Sequence, residues 1–253
     1  MKTVAIHQPN FLPWLGYFHK IIHSDVFVLL DNVQFIKTGG NWTNRMKLFV
    51  SADKTDFVTV PIVRNYHGLL PISEIQVSPD QWDFWKNKFF RSLQCCYGKA
   101  PYFAPVMELL DGCFSRRPEL LADLNISCIR TILEYLDLKR DHLVRSGELD
   151  CTAHSTELLI ELTRKTGCDT YMCGGGAAGY QEDDLFSQAG IDLLYQNFHH
   201  PRYPQGRKGD FVPGLSILDA MFNLPAGDCA ELLSAYDPAL PPAATASQGC
   251  IKA

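Results

Sequence analysis

The feature that most restricts this chain is a stretch without alternation. Residues Asp25 to Leu30 read Asp-Val-Phe-Val-Leu-Leu, apolar at every position after the first. A strand with one wet face alternates apolar and polar residues; one that is apolar throughout has to be covered on both faces, as in a parallel sheet packed between helices. Just upstream, Thr3 to His7 is another short apolar stretch. It runs into Gln8-Pro9-Asn10-Phe11-Leu12-Pro13-Trp14-Leu15-Gly16, whose prolines and glycine stop regular structure. From Tyr17 to His23 the apolar residues Phe18, Ile21 and Ile22 fit a helical stripe. Strand, loop, helix, strand opens a βαβ unit. The expected fold class is therefore α/β: an open, mostly parallel, Rossmann-like sheet flanked by helices, with a nucleotidyltransferase-like version as a variant.

Further along, Asp31 to Lys47 is polar and aromatic around Gly39-Gly40 and reads as a surface loop. Phe57 to Val63 reads as a strand. Between Asp80 and Phe90, Trp82, Trp85, Phe89 and Phe90 recur at helical spacing, which suits core packing. Pro118 fits the first turn of a helix carrying Leu120, Leu121, Leu124, Cys128, Ile132, Leu133 and Leu136 at a 3.6-residue period, so Cys128 faces the core. Ser155 is expected to cap a helix that ends at Gly167. Strands are expected at Thr170 to Met172 and Ile191 to Tyr195. The organisation predicted is one α/β domain over 1–237 with a helical insertion around 80–145, and a frayed tail over 238–253.

Composition removes several functions. With 23 basic and 28 acidic residues the net charge is −5, which does not suit a general nucleic-acid binder. No apolar run approaches a membrane span, and the N-terminus meets polar residues too early for a signal peptide. A cytoplasmic protein is expected. The 9 cysteines are odd in number and irregular in spacing; they read mostly as reduced, buried thiols. No CxxC pair suggests a structural zinc, and no metal site is expected.

Several constellations could carry chemistry. His7 sits where a strand gives way to a loop, the edge at which open α/β sheets bind ligands. Either His7 and Asn10 hydrogen-bond an awkward turn, or His7 is a general base beside the substrate-binding Gln8, Asn10 and Trp14. Asp31 ends the next strand and could stand beside His7, or cap a turn. Lys37, Asn44 and Arg45 lie on a loop with Trp42 that could hold a sugar, a phosphate or a carboxylate. Cys173 opens the run Gly174-Gly175-Gly176, whose amides could cradle an anion; the alternatives are a nucleophilic thiol and a tight turn. His200, Tyr203 and Gln205 belong to a proline-stiffened loop, with His200 the third catalytic candidate. None of the GxGxxG, GxxxxGK[ST] or GxSxG motifs is complete, so the cofactor stays open.

The runs Val4 to Phe18, Leu30-Asp31-Asn32-Val33-Gln34-Phe35, Trp42-Thr43-Asn44-Arg45, His200-Pro201-Arg202-Tyr203-Pro204-Gln205 and Phe211 to Asp219 closely resemble the WbqC-like protein family. That resemblance implies work in bacterial surface-polysaccharide (O-antigen) biosynthesis, by acyl or aminoacyl transfer that forms an amide on an amino sugar. The implied partner is a small molecule, either a nucleotide-linked amino sugar or an acyl donor. Where the family more often carries serine, this chain has Cys173. A weaker similarity, to pantothenate-synthetase-type nucleotidyltransferases, fails at Tyr17 and His19, which do not reproduce the HxGH pair. ATP- or CTP-dependent transfer and a non-catalytic sugar-binding role are the alternatives.

Overall fold

A computed structural model describes residues 1–37, 42–51, 53–138, 141–174 and 182–235. Gly175, Gly176 and the expected tail over 238–253 lie outside them. Five parallel strands form an open sheet: β1 (Thr3–His7), β2 (Val26–Leu29), β5 (Leu143–Arg145), β6 (Thr170–Cys173) and β7 (Asp192–Tyr195). Their spatial order is β5-β2-β1-β6-β7. The chain therefore builds outward from β1 in one direction, then returns to build outward in the other. This is the doubly wound order, and its reversal point falls between β1 and β6.

The non-alternating second strand is explained by the two layers that cover it. Phe27 and Leu29 join one core cluster with Ala5, Met172 and the apolar faces of α1 (Leu15–Ile22), α4 (Leu121–Tyr135) and α7 (Ile217–Asn223). Val26 and Val28 point into the other, with Val4, Ile6, Tyr171, Cys173, α5 (Ser155–Lys165) and Phe186 of α6 (Asp183–Gln188). All four residues of β2 are buried.

Between β2 and β5 the chain makes a long excursion. Residues read as the end of a loop form β3 (Arg45–Phe49), antiparallel to β4 (Thr55–Thr59), so the expected strand over Phe57 to Val63 sits earlier than predicted. The antiparallel partner, invisible in a one-strand pattern, decides this register. Helices α2 (Pro79–Tyr97), α3 (Phe103–Cys113) and α4 follow. The aromatic stripe of α2 packs inward: the Trp82 and Phe114 rings stack at 5.8 Å, and Phe89 lies 5.9 Å from the same phenylalanine. Helix α8 (Ala226–Ser234) packs against α1.

Two helix starts differ from expectation. Pro118 precedes α4, whose cap is Leu120. Ser155 is the first residue of α5 rather than its cap, and has a positive φ of 53°. Gly167, at φ 65°, ends that helix as predicted. Among the eight described cysteines, Cys128, Cys168, Cys173 and Cys229 are buried whereas Cys95 is exposed; burial is thus less general than expected.

The carboxyl ends of β2 and β5 are tied by a buried ion pair. Arg145 Nε donates to Asp31 Oδ2 at 2.6 Å, while Asp31 Oδ1 accepts from Ser146 Oγ and the Gly147 amide. The outer end of the guanidinium meets the half-exposed Asp123. Removing the cation with Arg145→Met strands a buried carboxylate and is expected to cost about 3 kcal/mol in unfolding free energy. Asp123→Asn, at the wet end, is expected to cost under about 1 kcal/mol. Urea denaturation of the two variants checks the ranking.

Candidate functional site

The candidate site begins where the central ladder stops. β1 pairs with β2 as far as His7↔Leu29, but with β6 only as far as Ala5↔Met172. Past that point β1 and β6 no longer share the ladder, and Ile6 needs a donor for its carbonyl. Lys20, reaching in from α1, supplies one: its Nζ lies 3.4 Å from the Ile6 oxygen and 6.0 Å from the centre of the Tyr171 ring. Lys20 is only 3% exposed and has no carboxylate partner among the described residues. Burial, opposed by the neighbouring Cys173, brings its ammonium down to about 8.

His7 stands at the same rim. Its Nδ1 is 3.1 Å from the carbonyl of Gln8, an acceptor only, so this nitrogen carries the proton and Nε2 keeps its lone pair. The Tyr17 hydroxyl donates to the same carbonyl at 3.0 Å, and the Tyr17 and Trp14 rings meet the imidazole edge-on at 4.9 and 5.9 Å. Burial first, and the Lys20 cation second, lower its pKa to about 3. The imidazole is therefore neutral across the physiological range. Cys173 completes the group, its thiol directed at the Leu194 carbonyl 3.8 Å away. It is followed by Gly174.

An aromatic wall leads away from this point. Trp14 packs on Trp42 at 5.4 Å, Trp42 on Phe57 at 5.3 Å, and the Arg45 guanidinium lies 4.0 Å above the Phe57 ring. Arg45 Nε is buried without a hydrogen-bond partner. The loops bearing this wall are clamped from α4: Asn125 Nδ2 donates to the carbonyls of Pro9 and Thr43, both at 2.7 Å. Thr43 in turn donates to Gln8 Oε1.

The remaining predicted residues lie elsewhere or do structural work. Asp31 does not orient His7, because both its oxygens are taken by Arg145, Ser146 and Gly147. Asn10 is buried, and the buried Asn44 donates to the Val60 carbonyl. Lys37 lies over the Tyr66 ring and donates to that residue's carbonyl. His200 packs on Phe198, which packs on His19; its pKa is lowered by burial, and it makes no contact with His7. Trp14 and Phe198 stand between the two histidines and converge on Gly16, where an added Cβ would sit 2.9 Å from the indole nitrogen and 2.8 Å from the Phe198 ring. Tyr203 and Gln205 surround Asp219.

Lys20 is the residue that motif reading missed. The available signal was a lysine inside a segment otherwise apolar enough to be enclosed, and every residue of α1 is in fact buried. Gln196, just past β7, was missed too; its amide donates to Gly16 O and His19 Nδ1 and so ties β7 to α1. Among the described residues no group of three His, Cys, Asp or Glu side chains is placed to hold a metal ion. No described helix is long and apolar enough to cross a membrane.

A doubly wound α/β protein with a buried lysine and a neutral histidine at its reversal point is the class these features define. Within that class the chain belongs to the WbqC-like protein family, whose profile matches residues 8–230. An uncharacterized protein of Mycobacterium tuberculosis is 28% identical over 227 residues, spanning 89% of this chain and 95% of that relative. No solved structure matches the chain.

These environments fix the sign of two titrations. Between pH 6.5 and about 3 the unfolded chain takes up a proton on His7 that the folded chain refuses, so acid lowers stability through this group. Lys20 is penalised in the folded state up to about pH 8, and the penalty fades towards 10.5, where the unfolded lysine also loses its proton. Lys20→Met is therefore expected to remove a penalty of about 3 kcal/mol at pH 7, offset in part by the about 1 kcal/mol or more lost when the Ile6 carbonyl is left without its donor, with the net gain shrinking between those two pH values. The same variant raises the His7 pKa without returning it to 6.5, because burial, the larger cause, persists. Thermal melts across pH and imidazole NMR shifts read both effects.

Proposed function

We propose that this protein is a transferase of surface-polysaccharide biosynthesis that forms an amide on an amino sugar by acyl or aminoacyl transfer. The observation that carries the reading is the pairing of Lys20, a buried cation with no carboxylate partner among the described residues, with His7, a neutral imidazole whose Nε2 lone pair is available, at the reversal point of the sheet. Amide formation needs both: a base for the attacking amine and a positive charge where the carbonyl oxygen becomes an oxyanion. The amine nitrogen adds to the acyl carbon of a thioester or acyl phosphate, and its proton passes to His7 Nε2. Lys20 holds the oxyanion. As the tetrahedral intermediate collapses, the bond to the thiol or phosphate breaks and the leaving group takes the proton from His7.

With a pKa near 3, His7 is a poor base until its surroundings change. A negative charge brought against Lys20 cancels the second cause of that depression and moves the imidazole towards the range in which it can accept a proton. On this reading the substrate activates the base. The Trp14 and Trp42 rings offer the flat face on which a sugar ring stacks, and Arg45 offers charge for the phosphates of a nucleotide carrier. Nucleotide-linked sugars place the reaction in the cytoplasm.

Assays with nucleotide-linked amino sugars and acyl thioesters test this directly. His7→Gln is expected to lower kcat by about a hundredfold with little change in KM. Lys20→Met is expected to lower kcat by a similar factor. A His7→Gln enzyme of full activity sinks the proposal.

A further inference from the structure

A second constellation lies around a carboxylate that the reaction above does not use. Asp219, in α7, is fully buried and accepts three hydrogen bonds: from Tyr97 at 2.8 Å, from Tyr203 at 2.8 Å and from Gln205 at 3.0 Å. Gln205 also clasps both polar groups of the Val212 backbone, giving a hydrogen to its carbonyl and taking one from its amide, each at 2.9 Å. The chain from 205 to 212 is thereby closed into a compact loop on a buried anchor. Arg207 pins its middle, donating to the carbonyls of Ser51 and Cys96 while its guanidinium lies 4.1 Å above the Phe49 ring. Gly206, at φ 63°, holds a backbone conformation strained for any residue with a side chain, and an added Cβ would sit 2.7 Å from Asn223 Oδ1, forcing that amide to shift.

A short polar loop needs no such anchorage merely to connect two elements, and fixed loops of this type commonly carry function. The loop walls a groove of about 560 Å³, within the range of small-molecule sites. Arg202, Arg207 and Lys208 line it against Asp53 and Asp210, three cations to two carboxylates on a chain whose overall charge is −5. Arg202 and Lys208 form no ion pair among the described residues. Phe211 adds an aromatic wall, packed edge-on against Tyr203 at 5.2 Å.

We infer that this groove is a second binding site, for a phosphate-bearing ligand with a planar ring, a nucleoside diphosphate. Its phosphates meet Arg202 and Lys208, and its ring lies against Phe211. Because the loop is held in place beforehand, little ordering cost is paid on binding.

Calorimetry on the full chain with uridine diphosphate and with inorganic pyrophosphate tests the assignment. The double variant Arg202→Ala/Lys208→Ala is expected to weaken the binding of both probes in this groove at least about tenfold, leaving any separate binding event at Arg45 unchanged. Phe211→Ala is expected to weaken the nucleotide about fivefold and leave pyrophosphate unchanged. Asp210→Asn, which removes an opposing charge, is expected to tighten both about threefold. A double variant that keeps every binding event of the parent, in number and in affinity, overturns the inference. Equal losses of both probes in Phe211→Ala, or no tightening in Asp210→Asn, overturn it as well. None of these substitutions touches His7 or Lys20, so failure here and failure of the transferase reading are separate results.

Discussion

The central strand carries an obligation that shapes the molecule: each of its carbonyls and amides, deep between two layers of side chains, has to find a partner. For most of its length β1 meets this through β2 on one side and β6 on the other. Where the β6 ladder ends first, the debt at Ile6 is met by an ammonium group from α1. A backbone requirement of the sheet thus brings a charge into the interior at the edge where α/β proteins gather ligands. That placement adds to the depression of His7, which burial begins.

The same logic separates residues that hold charge quietly from those that do not. Asp31 is as buried as Lys20, yet a guanidinium, a hydroxyl and an amide satisfy it, and it acts as a tie between strands. Asp219 is likewise enclosed by two phenols and an amide, which counter the burial that raises its pKa. Among the described residues Lys20 has one long hydrogen bond and a distant ring face. Groups left this far from compensation are where a protein stores affinity for something it does not itself contain.

Much of this architecture was legible in the residues. The unbroken apolar run of β2 required two covering layers, and the break after His7 put that histidine at a strand end; both hold. The helix of Leu121–Tyr135 showed in its period, although its first residue did not, because Pro118 satisfies the rules for a helix start without being in one. The β3–β4 hairpin escaped, since its pattern depends on a partner strand that no single segment reveals. At the site, reading side chains one motif at a time favoured Asp31 over Lys20. Strand order alone could show that the first is spent on β5 while the second reaches the gap beside β6.

Gly16 joins matters that otherwise look separate. The rings of Trp14 and Phe198 both crowd it, so the side chain beside His7 and the side chain beside His200 meet the same backbone position. Two regions nearly two hundred positions apart along the polypeptide thereby pack on one residue, and the absence of a methyl group there is what leaves room for both.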